Sequence, residues 1–172
     1  TVISKSKTLI RKFPEYVILY NILGSAYQNS GDLNLAEDIF IKGHKLDSNN
    51  IAVMNNLGNV YKNNGKLKLS EELFQKIIKK DSNYINAYIN LGNLKRDNND
   101  FESAINLYSK ALKINNNIPV TLYSLALAHQ GLGNFNEAIE FAKKALLIDK
   151  TFTQADMLIS QSTKYTTDNN HY

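Results

Sequence analysis

The chain has 172 residues, no cysteine and 43% hydrophobic content, and its 20 Lys and Arg against 16 Asp and Glu leave a net charge of +4. Without cysteine there are no disulfides, thiolate zinc sites or cysteine nucleophiles, which fits a reducing, cytoplasmic compartment. The positive excess is scattered rather than gathered with aromatics into a stripe, which argues against nucleic acid as a partner. No apolar run approaches the ~20 residues of a membrane span, which argues against a membrane.

With two prolines and eight glycines, the chain permits long uninterrupted helices. Residues 1–16 read as one helix running up to Pro14. From Val17 onward the sequence superposes on itself at a shift of 34 residues, giving units 17–50, 51–84, 85–118 and 119–152. The pair Leu23-Gly24 returns as Leu57-Gly58, Leu91-Gly92 and Leu125-Ala126. Three residues before each Leu stand Tyr20, Met54, Tyr88 and Leu122. Later in each unit come Ala36, Ser70, Ala104 and Ala138, then Phe40, Phe74, Tyr108 and Ala142.

Each unit reads as two amphipathic helices. In the second, Met54, Leu57, Gly58 and Tyr61 share one face of the first helix, and Leu67, Ser70, Leu73, Phe74 and Ile77 one face of the second. Gly31, Gly65, Asn99 and Gly133 fall between the helices, where a left-handed residue ends a helix. Asp47, Asp81, Asn115 and Asp149, with the polar residues after them, separate the units and are expected to cap the next helix, and Pro119 opens the fourth unit, where a missing N–H costs nothing. Residues 153–165 read as one more helix, with Met157, Leu158 and Ile159 expected to cover the end of the core, and 166–172 as a frayed polar tail.

These residues resemble the tetratricopeptide repeat family over most of the chain. The resemblance implies an all-α fold, a right-handed superhelical solenoid of antiparallel helix hairpins. It makes 1–16 the second helix of a preceding partial repeat, 17–50, 51–84, 85–118 and 119–152 four repeats, and 153–165 a C-terminal capping helix. The family's boundary proline is replaced by Ser48, Ser82, Asn116 and Lys150, and the first-helix aromatics Tyr27 and Tyr61 by Lys95 and His129. The N-terminal residues have no apolar signal core and no initiator Met, and read as an internal segment of a longer protein.

No catalytic constellation emerges. His44, His129 and His171 are far apart and lack spaced acidic or histidine partners, so neither a metal nor a cofactor is expected. Gly58 to Gly65-Lys66 is two residues too long for a phosphate loop and lacks the following Ser or Thr. The chain is therefore expected not to be an enzyme.

In tetratricopeptide arrays the first helices line a concave groove. The resemblance places Asn55, Asn56, Asn59 and Lys62 there in the second unit, Asn86, Ile89, Asn90, Asn93 and Arg96 in the third, and Tyr123 in the fourth, with Asn21, Ile22 and Ser124 at matching positions. An Asn amide offers one acceptor and two donors, the complement of a peptide backbone. Asn56 with Asn90, and Asn59 with Asn93, each 34 apart, set two rows of amides; the resemblance is to the asparagine ladder of O-linked N-acetylglucosamine transferases, whose positions Asn56 and Asn90 match and Ile22 and Ser124 break. A carboxylate clamp is excluded, since Asn55, Val120 and Ser124 stand where its cations belong. The expected role is a protein–protein interaction scaffold that binds an extended peptide or partner protein. The alternative is the substrate-recruiting region of a larger glycosyltransferase or sulfotransferase. Exposed repeat ends also offer a surface for weak self-association.

Overall fold

The computed structural model describes residues 1–168. Among them lie ten helices and no strand, an all-α repeat array: α1 (Val2–Lys12), α2 (Val17–Asn29), α3 (Leu33–Leu46), α4 (Ile51–Asn63), α5 (Leu67–Lys80), α6 (Ile85–Asp97), α7 (Phe101–Ile114), α8 (Pro119–Gly131), α9 (Phe135–Ile148) and α10 (Thr153–Asp168). The chain divides into two compact units, one over Thr1–Ser82 and one from Asn83 onward.

In the first unit α2 and α3 form one hairpin and α4 and α5 another, while α1 packs on α2, α3 on α4, and α2 also touches α4. Leu23, Tyr27, Ala36, Phe40, Val53, Leu57 and Val60 make one buried cluster, with Ile3 and Ile10 of α1 laid against it. The small residue of each first helix has a steric reason. A Cβ on Gly24 would stand 2.6 Å from Cε1 of Phe40, and one on Gly58 would stand 2.7 Å from Cε1 of Phe74. The aromatic ring of the second helix thus lies flat on bare backbone. The turn between α4 and α5 runs through Gly65 at φ 74°, a conformation that a Cβ disfavours.

In the second unit α6 pairs with α7, α8 with α9, and α10 packs on both α9 and α8. Tyr108 lies against Gly92, where a Cβ would come within 2.6 Å of its Cε1. Asn99 takes the left-handed turn position at φ 61°, the conformation for which Asn is the next choice after Gly. The fourth repeat is built differently: Ala126 and Ala142 are both fully buried in a cluster with Leu122, Ala138, Ala145, Ala155 and Leu158.

Two sequence expectations change here. At the unit boundaries Asn50 caps α4, its Oδ1 accepting from the Val53 N–H at 3.2 Å as expected, while Asp47, Asn115 and Asp149 organise the turn, accepting through Oδ1 from the backbone N–H of Asn49, Asn117 and Thr151, each at 2.9 Å. These two-residue Asx turns hold the boundary where the family carries proline. On α10, Ala155, Leu158 and Ser162 face inward, whereas Met157 is 61% exposed. Its position is off the buried face, because 155, 158 and 162 define the inward stripe at helical spacing. The helix also extends to Asp168, three residues past the expected 165; residues 169–172, the rest of the expected frayed tail and His171 with them, lie outside the described residues.

Candidate functional site

The first helices carry all ten residues expected in the groove. Asn55, Asn56, Asn59 and Lys62 are on α4, Asn86, Ile89, Asn90, Asn93 and Arg96 on α6, and Tyr123 on α8. Asn86 is exposed, and the others are half-buried except Asn55. Asn55 is the most enclosed of them. Only 8% exposed, it is nearly enclosed beside Met54 and Val53, and offers little surface to a ligand. Ser124, aligned with Asn56 and Asn90, is likewise buried at 5%.

In the first unit the amides of neighbouring first helices meet. Asn56 on α4 donates from Nδ2 to Oδ1 of Asn21 on α2 at 2.8 Å. The pair fixes the orientation of both amides and leaves one N–H on Asn56 and both on Asn21, with the Asn56 oxygen retaining acceptor capacity. Beside them Ile22 is 42% exposed. A 510 Å³ cleft is lined by Asn21, Ile22, Ser25, Ala26 and Asn29 of α2 together with Thr1, Val2 and Ile3.

In the second unit Tyr108 of α7 passes beneath Gly92 and its hydroxyl donates to Oδ1 of Asn93 at 2.7 Å. Burial pushes the Tyr108 hydroxyl up to about 12, opposed by the Arg96 charge and the neighbouring Ser124 and reinforced by Asp97, so it stays a donor. Asn93 therefore has its acceptor engaged and its amide hydrogens directed elsewhere. Arg96 is paired with Asp97 at 2.9 Å. Tyr123 is partly committed to the fold, its ring packed edge-on against Phe152 with centroids 5.2 Å apart.

A polar group that the sequence analysis passed over lies elsewhere in the first unit. Glu37 on α3, 8% exposed, accepts from Asn64 Nδ2 at 2.7 Å and Lys66 Nζ at 2.6 Å, both on the α4–α5 turn. Burial alone would raise its carboxyl, but the hydrogen bonds from Lys66 and Asn64 and the Lys66 charge hold it below the ordinary value. The signal was a lone Glu among core-facing positions of α3. This tie joins adjacent repeats.

His129 stacks on Phe141 with centroids 5.3 Å apart and planes at 19°. Its Nδ1 is buried without a hydrogen-bond partner, and desolvation lowers its pKa against the opposing charges of Glu137 and Glu140. A neutral packed imidazole follows. Among the described residues no cluster of three His, Cys, Asp or Glu could hold a metal, and no helix is long and apolar enough to cross a membrane.

Paired helices, small residues under aromatic rings and a 34-residue period define a helical-repeat protein. Tetratricopeptide repeat models match residues 17–50, 51–80 and 119–152, and a model described as TPR repeat matches 92–133. The chain belongs to the tetratricopeptide repeat family. No curated protein matches it in sequence. Among solved structures, that of MamA is 25% identical and aligns 88% of this chain with 89% of its own at a TM-score of 0.76. The Cut9–Hcn1 hetero-tetramer of the APC/C aligns at 22% identity and a TM-score of 0.83, over 93% of this chain and 32% of that one. YrrB, described as a TPR protein with an unusual peptide-binding site, aligns at 18% identity and a TM-score of 0.72 over 94% of this chain and 83% of its own.

Proposed function

We propose that this chain is a non-catalytic protein-interaction scaffold, and that the amide-bearing faces of its first helices hold an extended peptide. The observation that carries this reading is the Asn56–Asn21 hydrogen bond of 2.8 Å between adjacent first helices. It turns two flexible amides into a fixed pair whose unspent hydrogens and oxygen match the donors and acceptors of a peptide backbone. The same element explains modest selectivity. Neutral amide bonds each contribute only ~0.5–1.5 kcal/mol net, so affinity needs an apolar anchor, for which Ile22 in the first unit and Ile89 in the second are placed. The description of YrrB as peptide-binding adds support from the same fold.

The test is Asn56→Ala combined with Asn21→Ala. Peptides selected from a random displayed library against the wild-type chain should bind the double variant about tenfold more weakly, as the loss of two such bonds requires. Helicity should be unchanged. Undiminished binding of those peptides would move the peptide site off these faces.

A further inference from the structure

Asn64 and Gly65, in the turn between α4 and α5, are the only Asn-Gly pair in the chain. Asparagine is chemically labile, because its side-chain carbonyl carbon lies within reach of the next residue's backbone nitrogen. A side chain on that next residue hinders the approach, and glycine has none. The surroundings are open as well: Gly65 is exposed, and a Cβ on it would meet nothing within 4 Å. The third repeat supplies an internal comparison. Asn64 ends α4 at φ −85° and ψ 8°, and Asn98 ends α6 at φ −93° and ψ 12°. The residue that follows is left-handed in both, Gly65 at φ 74° and Asn99 at φ 61°. The two backbones match, but only at position 65 is the nitrogen unhindered.

The turn also holds both reacting groups. Nδ2 of Asn64, the nitrogen that leaves, donates to Oε2 of Glu37 at 2.7 Å. The Gly65 N–H, whose nitrogen attacks, donates to the Lys62 carbonyl at 3.1 Å. Reaction therefore waits for local opening of the turn. On the other side of Gly65, Lys66 Nζ holds the second Glu37 oxygen, Oε1, at 2.6 Å. The two arms of the tie between the first and second repeats thus flank the labile position.

We propose that Asn64 is a self-modification site, converted with water alone to aspartate or isoaspartate, and that conversion releases the tie to Glu37. The Gly65 nitrogen bonds to Cγ of Asn64 and gives up its proton. The Cγ–Nδ2 bond breaks, and ammonia leaves with that proton. Water then opens the five-membered imide: cleavage of the bond from the ring nitrogen to Cγ gives aspartate, and cleavage of the bond to the main-chain carbonyl carbon gives isoaspartate. Nothing is oxidised or reduced. Aspartate puts a carboxylate where a donor faced Glu37, replacing a hydrogen bond by like charges. Isoaspartate in addition lengthens the main chain by one carbon between the two arms, which shifts Lys66 away from Glu37.

The whole chain, kept folded in mildly alkaline buffer, is followed by fragmentation mass spectrometry and by ammonia release. The mass gain of an amide turned acid should collect at Asn64 and leave Asn98 unchanged. Gly65→Asn copies the third repeat and keeps a residue that tolerates the left-handed turn. It should slow conversion by about tenfold or more, and Glu37→Ala, which frees the leaving amide, should speed it by about tenfold. Asn64→Asp stands in for the product. It should lower the urea midpoint of the wild type but not that of a Glu37→Gln chain, where no charge faces it. Four results would each overturn the proposal: no gain at Asn64, an equal gain at Asn98, unchanged rates in the Gly65→Asn and Glu37→Ala chains, or an Asn64→Asp loss of the same size in both backgrounds.

Discussion

The second and fourth repeats solve one packing problem in opposite ways. In the second, Phe74 lies on Gly58 so closely that a single added carbon would sit 2.7 Å from the ring. In the fourth, at the same two register positions, Ala142 faces Ala126 and both are fully buried. The bulk has moved one residue earlier, to Phe141, which stacks on His129 where the first two repeats carry Tyr27 and Tyr61. What the repeat conserves internally is the volume between its helices, with the identity of either residue free to change if the other follows.

That comparison is broken most severely by moving one residue without the other. Gly58→Ala should destabilise the chain by ~1–3 kcal/mol, the usual cost of overpacking a buried ring, measured as a shift of the urea midpoint. Ala142→Phe should cost a similar amount in the fourth repeat, because the Ala126 Cβ stands where the other repeats have bare backbone. Adding Ala126→Gly to Ala142→Phe should restore part of that loss, less the ~0.5–1 kcal/mol that a mid-helix Gly costs by itself. Strict additivity of the two changes would mean that the positions do not share one packing volume.

Much of this architecture was legible in the sequence because it follows from periodicity. The recurrence of Leu-Gly and of a later aromatic at 34 residues fixes which faces are buried, and Gly31, Gly65, Asn99 and Gly133 mark the turns through their left-handed backbone. The candidate site was legible only as helix positions. Asn55 and Ser124 have the right register and polarity, yet neighbouring side chains enclose them, a consequence of local bulk that spacing does not encode. Asn56 and Asn93 carry amides of the same kind, but one is bound to Asn21 and the other to Tyr108. Side-chain pairing across helices depends on distances of a few tenths of an ångström, which the pattern of residue types leaves open.

The tie between repeats sharpens the contrast between the units. In the first, Glu37 reaches Asn64 and Lys66; in the second, the same register positions hold Ile105, Leu132 and Asn134. Ile105 packs against an apolar cluster instead of an ion pair. Because the folded-state carboxyl of Glu37 lies below its ordinary value of 4.5, the stability it contributes is complete above that value and is lost as pH falls through the folded one. Glu37→Gln should therefore cost about 1 kcal/mol near neutrality, and the gap between variant and wild type should close as unfolding is measured down to pH 3. A gap that persists at low pH would assign the loss to packing rather than to the charge.

The smallest effect is expected at Tyr108, and it separates fold from site. Phe40 and Phe74 show that this position takes a ring without a hydroxyl, so Tyr108→Phe keeps the contact with Gly92 and removes the hydroxyl's bond to Asn93 along with its interaction with Ser124. The loss should be ~0.5–1.5 kcal/mol in urea unfolding, the net worth of one partly buried hydrogen bond. The consequence for the amide is larger than for the fold. With Tyr108 present, the Asn93 oxygen is held toward the ring hydroxyl and the side chain presents its N–H groups on the other side; with Phe it can turn and offer either. The variant should therefore leave the Asn93 side-chain amide resonances less dispersed and faster to exchange in NMR spectra, while those of Asn59, at the same register position in the second repeat, stay where they are. A Tyr108→Phe chain with unaltered Asn93 amide signals would show that the ring alone, through its packing on Gly92, holds that amide in place.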